Sequence, residues 1–410
     1  MMISILQISA AFFIGLVIVY YAIPIIVRIS IEKHLYDVPN ERKVNKTVIP
    51  NLGGIALFVG ISIATLLCIF ENSFPDWRYI LSCMIILFFV GIKDDILIIS
   101  ARKKFAAQIL CALILVILGD IRLTHFHGIL GINEINYFFS LIISSLTIVG
   151  IINALNLIDG IDGLAASIAI LASMIFGFLF FSSDDVNYAL LCFATTGSLI
   201  SFFIFNVFGK KNKIFMGDTG SLTLGLILSV CAIKYNESTI GGNEVMFNLS
   251  PILSLALLSV PMFDLVRLFL IRIFQGKSPF VPDMNHIHHK FLKLGLSHRM
   301  TTMIIVLTNV FIIGIIFVFR GLNNHILLIL LTLLVAFFMV LPDFIYEFIK
   351  SQNSFAKRIR FQSYFIPYKN SFYHQTHTSS PKSIVLIEIR HKTDKLKQSL
   401  VNNLNSGNAI

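Results

Sequence analysis

Asn153-Ala-Leu-Asn-Leu-Ile-Asp-Gly-Ile-Asp-Gly163 interrupts two long apolar runs in a chain that otherwise buries almost no charge. Its polar residues Asn153, Asn156, Asp159 and Asp162 recur at every third position, which on a helix lines them along one slowly drifting stripe. Unpaired charge in hydrocarbon is expensive, so such a stripe must meet water, a cation or a polar ligand.

Working outward, the flanks are apolar on both sides, and the rest of the chain repeats that pattern. Of 410 residues, 56% are hydrophobic and 13% charged, with 38 Phe; an ordinary soluble domain is about 25% charged. A span needs about 20 mostly apolar residues. About eleven such runs can be read: 3–27, 52–70, 79–97, 104–121, 136–155, 164–182, 188–207, 219–234, 249–271, 302–319 and 325–342. The fold class this predicts is all-α, a polytopic integral membrane helix bundle with about eleven transmembrane helices set in the lipid bilayer.

The first run lacks a basic segment before it and a small-residue cleavage site, and its first positive charges, Arg28 and Lys33, follow it. It reads as a retained helix with its N-terminus outside. With eleven spans from that start, Arg78, Arg122, Lys234 and Arg320 fall outside and every other Lys or Arg of the 32 falls inside. The positive-inside rule is satisfied and the C-terminus is cytoplasmic. The net charge of +10 is mostly this bias plus a basic tail, and without a nucleic-acid-binding motif it gives no reason to expect nucleic acid as a partner. All five Cys lie inside apolar runs and read as small core residues, not as disulfides or metal ligands. Residues 1–342 form the transmembrane domain. Residues 343–410 form a basic cytoplasmic tail of open fold, with Phe355-Ala-Lys-Arg-Ile-Arg-Phe361 suited to an anionic leaflet and a strand-like run at Ser383–Ile389.

The remaining polar concentrations fall mostly at the inner ends of the spans. Gly91-Ile-Lys-Asp-Asp95 closes the third run and Lys104 opens the fourth. Adjacent aspartates on apolar flanks need a cation or a basic partner, and Mg²⁺ prefers such hard oxygens and bridges to substrate phosphates. The first inner loop carries Arg42, Lys43 and Lys46 ahead of Pro50, Gly53 and Gly54. Lys210, Lys211 and Lys213 precede Phe215-Met-Gly-Asp218, where glycine lets backbone approach a ligand and Phe215 offers a platform for a flat base. No P-loop accompanies them.

Asp264 and Arg267 sit near the inner end of the ninth run, and His286, His288 and His289 follow within four residues. Histidines there can donate to phosphates, ligate a metal or move a proton. The outer pair His125 and His127 has no further close ligand and reads as solvated. Carboxylates for Mg²⁺, cations for phosphates and an aromatic for a base are the parts a nucleotide-diphosphate site needs.

These blocks also carry a family resemblance over roughly residues 1–342. Arg42-Lys43 to Gly53-Gly54, Gly91-x-x-Asp94-Asp95, the Asn153–Gly163 stretch, Phe215-Met-Gly-Asp218-x-Gly-Ser, and Ser278-Pro-Phe-x-Pro-Asp to His286-Ile-His-His289 stand in the order and on the side that characterise one family. The chain resembles the polyprenyl-phosphate N-acetylhexosamine-1-phosphate transferases. The resemblance implies an enzyme of the bacterial inner membrane, its active site facing the cytoplasm. It would move a sugar 1-phosphate from a UDP-N-acetylhexosamine to undecaprenyl phosphate with Mg²⁺, or Mn²⁺ in its place, releasing UMP to begin a cell-envelope polysaccharide.

By the same resemblance Asp218 is the main metal ligand, with Asp94 and Asp95 sharing the ion and positioning or deprotonating the lipid phosphate. Asn156, Asp159, Asp162 and Phe215 belong to the nucleotide pocket. Lys46, Lys104, His288 and His289 contact phosphates, and His286 joins them in the substrate-binding loop. The His-Ile-His-His form is similar to the branch using UDP-N-acetylglucosamine, which makes N-acetylglucosamine 1-phosphate the expected cargo over the phospho-MurNAc-pentapeptide of the translocase branch. Asn45 departs from the histidine many relatives of that branch carry. The number of subunits stays open, a homodimer included.

Direct attack by the lipid phosphate is preferred over a covalent aspartyl intermediate, because a metal-neutralised, positioned phosphate is already a competent nucleophile. An ion-coupled transporter would put its acids near the midplane on broken helices, not at inner ends. An intramembrane aspartyl protease needs only two facing acids and leaves the histidine loop unexplained.

Overall fold

The computed structural model of the chain describes residues 2–36, 49–69, 74–97, 99–238, 250–276 and 285–355. All lie in the first of two compact units, Met1–Pro367; the second is Tyr368–Ile410. Arg42, Lys43 and Lys46, the segment 277–284, and the tail beyond Phe355 lie outside the described residues.

Every apolar run is helical: α1 (Met2–Glu32), α2 (Gly53–Cys68), α3 (Trp77–Ile96), α4 (Ala101–Leu113), α5 (Tyr137–Ile158), α6 (Leu164–Ser182), α7 (Val186–Phe203), α8 (Gly217–Ser238), α9 (Ser250–Leu257), α10 (Ser259–Phe274), α11 (Ile287–Lys293), α12 (His298–Val318) and α13 (Asn324–Phe355). π-Helical turns extend α4 through Ile114–Leu118 and α7 through Ile204–Phe208. Among the described residues the one β feature is an isolated bridge between His125 and Glu134. The structure is all-α.

Among the described residues six helices are long and apolar enough to cross a membrane: α1, α5, α6, α7 with its π turn, α12 and α13. The α9–α10 pair, bent by 81°, makes a seventh if it is one broken span. The expected count of eleven is not confirmed by length and apolarity among the described residues, for a physical reason in each case. α2 has 16 residues, about 24 Å of helix against a hydrocarbon core of about 30 Å. α4 opens on Arg102, Lys103 and Lys104 before its π turn, and α3 and α8 carry Lys93, Asp94, Asp95 and Asp218, Lys234, Glu237.

α8 needs little apolarity of its own because protein surrounds it. It packs on α2, α3, α5, α6 and α9, and nearly all its residues are buried. Small residues permit this: a Cβ on Gly54 of α2 would run into the backbone at Gly220, and one on Gly91 of α3 into Thr219. Close backbone approach replaces side-chain interdigitation where membrane helices meet in this way. All five cysteines are buried and free, as expected of core residues.

α13 runs without interruption past residue 342, the expected domain edge, with Pro342 inside it. At one end of the bundle Lys234 pairs with Asp76 at 2.7 Å, Tyr188 donates to the same carboxylate, and Glu237 accepts from the Thr124 N–H at 2.8 Å. The loop holding His125 and His127 is therefore docked on α8, with His127 Nε2 3.1 Å from the Asn236 carbonyl, rather than simply solvated. The acids and histidines singled out above gather at the other end.

Candidate active site

The motif that interrupts the apolar runs divides at the end of α5. The helix stops at Ile158, so Asp159 and Asp162 lie on the connecting loop to α6 and only Asn153 and Asn156 are helical. Steps of three residues also rotate a stripe by about half a turn between positions 153 and 162. The four polar residues accordingly go to different partners. Asn153 exchanges amide hydrogen bonds with Gln108 of α4, donating at 2.7 Å and accepting at 3.4 Å. Asn156 donates to Asp218 at 2.7 Å and to Ser221 at 2.8 Å.

The Lys104 ammonium is the electrostatic centre. It meets Asp94 Oδ2 at 3.2 Å and Asn156 Oδ1 at 3.3 Å, and it ion-pairs directly with Asp218 Oδ2. Asp94 Oδ1 also accepts from the Ile99 N–H at 2.8 Å, which closes the turn between α3 and α4. A cation thus already sits among three hard oxygens from α3, α5 and α8. Among the described residues no three His, Cys, Asp or Glu side chains close around a metal by themselves. An ion here would complete its shell with water and substrate oxygens, which is how Mg²⁺ is commonly held.

Asp95 has a different task. Its Oδ1 accepts from the Asp218 N–H at 2.7 Å, and its Oδ2 from the Thr219 N–H at 3.1 Å and the Thr219 hydroxyl at 2.6 Å. It caps the N-terminus of α8 from another helix, where free N–H groups and the helix dipole favour a carboxylate. Of the three acids expected to share a metal, Asp94 and Asp218 converge on one point and Asp95 fixes the element that carries Asp218. Asn51 donates to the Asp95 carbonyl at 3.2 Å. Backbone bonds Phe215 N–H to Pro50 O (2.8 Å), Gly53 N–H to Phe215 O (2.9 Å) and Gly54 N–H to Met216 O (2.8 Å) tie the start of α2 to the strand-like approach to α8.

A second wall forms around Asp162 and Phe215. Lys213 Nζ lies 2.6 Å from Asp162 and 5.7 Å from the Phe215 ring centroid. Asn206, buried in the π turn after α7, was missed by sequence reasoning. Its Oδ1 accepts from the Gly163 N–H at 2.6 Å and its Nδ2 donates to the Ile214 carbonyl at 2.8 Å, so one amide joins both loops of this wall. A lone Asn near the end of an apolar run was the available signal.

The histidines close the site over the Asp159–Gly163 loop. His288 is buried against Gly160, where any Cβ would strike the imidazole ring. Neither of its ring nitrogens has a partner among the described residues. Burial, reinforced by His289 and His286, pushes its pKa down to about 3, so it is a neutral imidazole at physiological pH. His289 lies beside it at 4.3 Å between ring centroids, and His286 stacks at 5.6 Å. Burial and the carboxylates of Asp218, Asp95 and Asp162 raise Asp159 well above the usual carboxylate range. A cation bound nearby would oppose that rise.

An all-helical membrane bundle with a carboxylate–lysine centre, a buried and unpartnered His288 and a lysine–aromatic wall at one end is a membrane protein with a charged site suited to polyanions. Known proteins narrow the class. The Glycosyl transferase family 4 profile matches residues 77–236, the stretch from α3 to α8. A Bacillus subtilis (strain 168) protein called a probable undecaprenyl-phosphate N-acetylglucosaminyl 1-phosphate transferase is 30% identical over 365 residues, covering 86% of this chain and 97% of that one. Undecaprenyl-phosphate alpha-N-acetylglucosaminyl 1-phosphate transferases are 29% identical in Yersinia pestis, covering 68% and 75%, and 27% identical in Escherichia coli (strain K12), covering 67% and 73%. The chain belongs to this family, the polyprenyl-phosphate N-acetylhexosamine-1-phosphate transferases.

Proposed function

We propose that this protein transfers N-acetylglucosamine 1-phosphate from UDP-N-acetylglucosamine to undecaprenyl phosphate at the cytoplasmic face of a bacterial inner membrane, releasing UMP. The observation that carries the reading is the Lys104 ammonium gathered between Asp94, Asn156 and Asp218. The choice of N-acetylglucosamine rests on what the relatives are named for.

In the reaction an oxygen of the lipid phosphate bonds to the β-phosphorus of the UDP-sugar, and the bond from that phosphorus to the bridging oxygen breaks. UMP leaves with the electron pair. The residues suit binding and charge stabilisation, which dominate phosphoryl transfer. Lys104 holds phosphate oxygens once substrate competes for its ammonium. Lys213 and Phe215 receive the uridine phosphate end, and the neutral His288 imidazole, with His289 beside it, donates hydrogen bonds to the diphosphate oxygens.

Mg²⁺, held by Asp218 and Asp94 with Asn156 beside them, would supply charge neutralisation. Asp94, Asp95 and Asp218 all have oxygens committed to partners, which favours direct attack by the lipid phosphate over a phospho-aspartyl intermediate. The test is UMP release from a panel of UDP-N-acetylhexosamines by purified protein with undecaprenyl phosphate and Mg²⁺. Release with UDP-N-acetylglucosamine supports the reading, and no release with any donor refutes it.

A further inference from the structure

Asp264 and Arg267 are ionisable residues for which the reaction above has no use. Both lie on α10, directly after the 81° break that separates it from α9. The break has a cause in the sequence. Pro261 has no N–H, so the carbonyl of Leu257, four residues earlier, loses its helical donor. Asn309 of α12, fully buried, supplies a replacement: its Nδ2 donates to the Leu257 carbonyl at 3.1 Å, and its Oδ1 accepts from the Ser259 hydroxyl at 2.9 Å. One side chain therefore bonds the last residue of α9 and the first of α10. A buried amide with both groups engaged specifies a single geometry.

From that anchored start α10 carries Asp264 into a buried position where three donors meet it: Arg267 at 2.7 Å, His286 Nδ1 at 2.9 Å and the Ile287 N–H at 3.2 Å. Arg267 also donates to the Asn285 carbonyl at 2.6 Å. The two side chains thus grip residues 285–287, the entry to α11. The bond from His286 Nδ1–H to the carboxylate fixes that ring's tautomer, and the bond to Ile287 satisfies a free N–H at the start of the helix. The next residues are His288, seated on Gly160, and His289.

We propose that Asp264, Arg267 and Asn309 are positioning residues that set where His288 and His289 stand over the donor's diphosphate. The inference rests on the transferase reading. It separates two jobs on one break: α12 fixes the direction of α10, and α10 fixes the histidines.

The test is a kinetic cycle on the full-length protein, with UDP-N-acetylglucosamine and undecaprenyl phosphate varied separately. Asp264→Asn keeps the shape and removes the charge that holds three donors, so the KM for the UDP-sugar rises about 10-fold while that for the lipid phosphate stays within roughly two-fold. In a His289→Ala background the same substitution lowers kcat/KM by less than about three-fold, because residues acting as one unit are not additive. Full multiplication of the two effects, equal movement of both KM values, or no change overturns the inference. Should Asp264→Asn fail to fold, Arg267→Gln and Asn309→Ala are read by the same cycle with the same outcomes. Wild-type protein assayed in parallel keeps the two ideas apart: its failure to release UMP counts against the transferase reading, whereas unaltered variants beside an active wild type count against the positioning role.

Discussion

Replacing Lys104 with Met separates what this side chain does for the acids from what it does for phosphate. Asp94 Oδ2 lies 3.2 Å from the ammonium and Asp218 contacts it directly, and the two carboxylates are also within hydrogen-bonding reach of each other. At an effective dielectric near 20, two unit charges about 4 Å apart repel by about 4 kcal/mol, which is what the cation offsets when both acids are ionised. The three side chains are 15–26% exposed, so solvent screens part of this, and it stands as an upper figure. The apolar stem of Met keeps the packing while the charge goes. The vacated point between Asp94, Asn156 and Asp218 then belongs to whatever cation is available. Mn²⁺ binding, followed by its electron paramagnetic resonance signal, tightens by about 10-fold or more in Lys104→Met, while UMP release falls by about 100-fold for want of a phosphate partner. Weaker or unchanged Mn²⁺ affinity in the folded variant would show that the carboxylates do not share a cation site, and the reasoning about the centre would fail.

Three other substitutions test neighbouring parts. Gly160→Ala places a methyl group against the His288 ring. Overpacking of this kind costs about 1–3 kcal/mol and is expected to raise the KM for the UDP-sugar, measured in the same release assay. Asp95→Ala removes the cap of α8 and lowers stability by about 1–2 kcal/mol, seen as an earlier thermal unfolding transition in detergent; an unchanged transition would return Asp95 to the chemistry. His288, depressed to about 3 when folded, binds a proton more readily unfolded, at about 6.5. Its burial therefore lowers stability progressively as pH falls from about 6.5 toward 3, by about 1.4 kcal/mol per unit. His288→Phe is expected to flatten that part of the pH–stability curve, and an unaltered slope would contradict the buried neutral assignment.

The amino-acid order makes the helices legible because hydrocarbon leaves the backbone few alternatives. It also reveals which ends carry acids, since charge stands out in apolar runs. What it conceals are partnerships made in three dimensions. Asp94 and Asp95 are adjacent and chemically identical, yet one faces a lysine and the other an incoming helix N-terminus. Asn153 and Asn156 share a helical face by spacing, yet one pairs with Gln108 and the other reaches Asp218. The glycines Gly54, Gly91 and Gly160 have a motif's regularity, but their purpose, room for Gly220, Thr219 and His288, depends on contacts distant in sequence. The break before α10 did leave a trace, Pro261 inside an apolar run read as one continuous span.

If this protein moves a phosphosugar intact onto a lipid phosphate, one phosphorus atom must travel with the sugar. Purified protein is given UDP-N-acetylglucosamine labelled at the β-phosphorus, with undecaprenyl phosphate and Mg²⁺. The label is expected in the lipid fraction as a diphosphate-linked sugar, in step with unlabelled UMP. Label recovered as free phosphate or sugar phosphate, or left entirely in the nucleotide, would contradict that expectation.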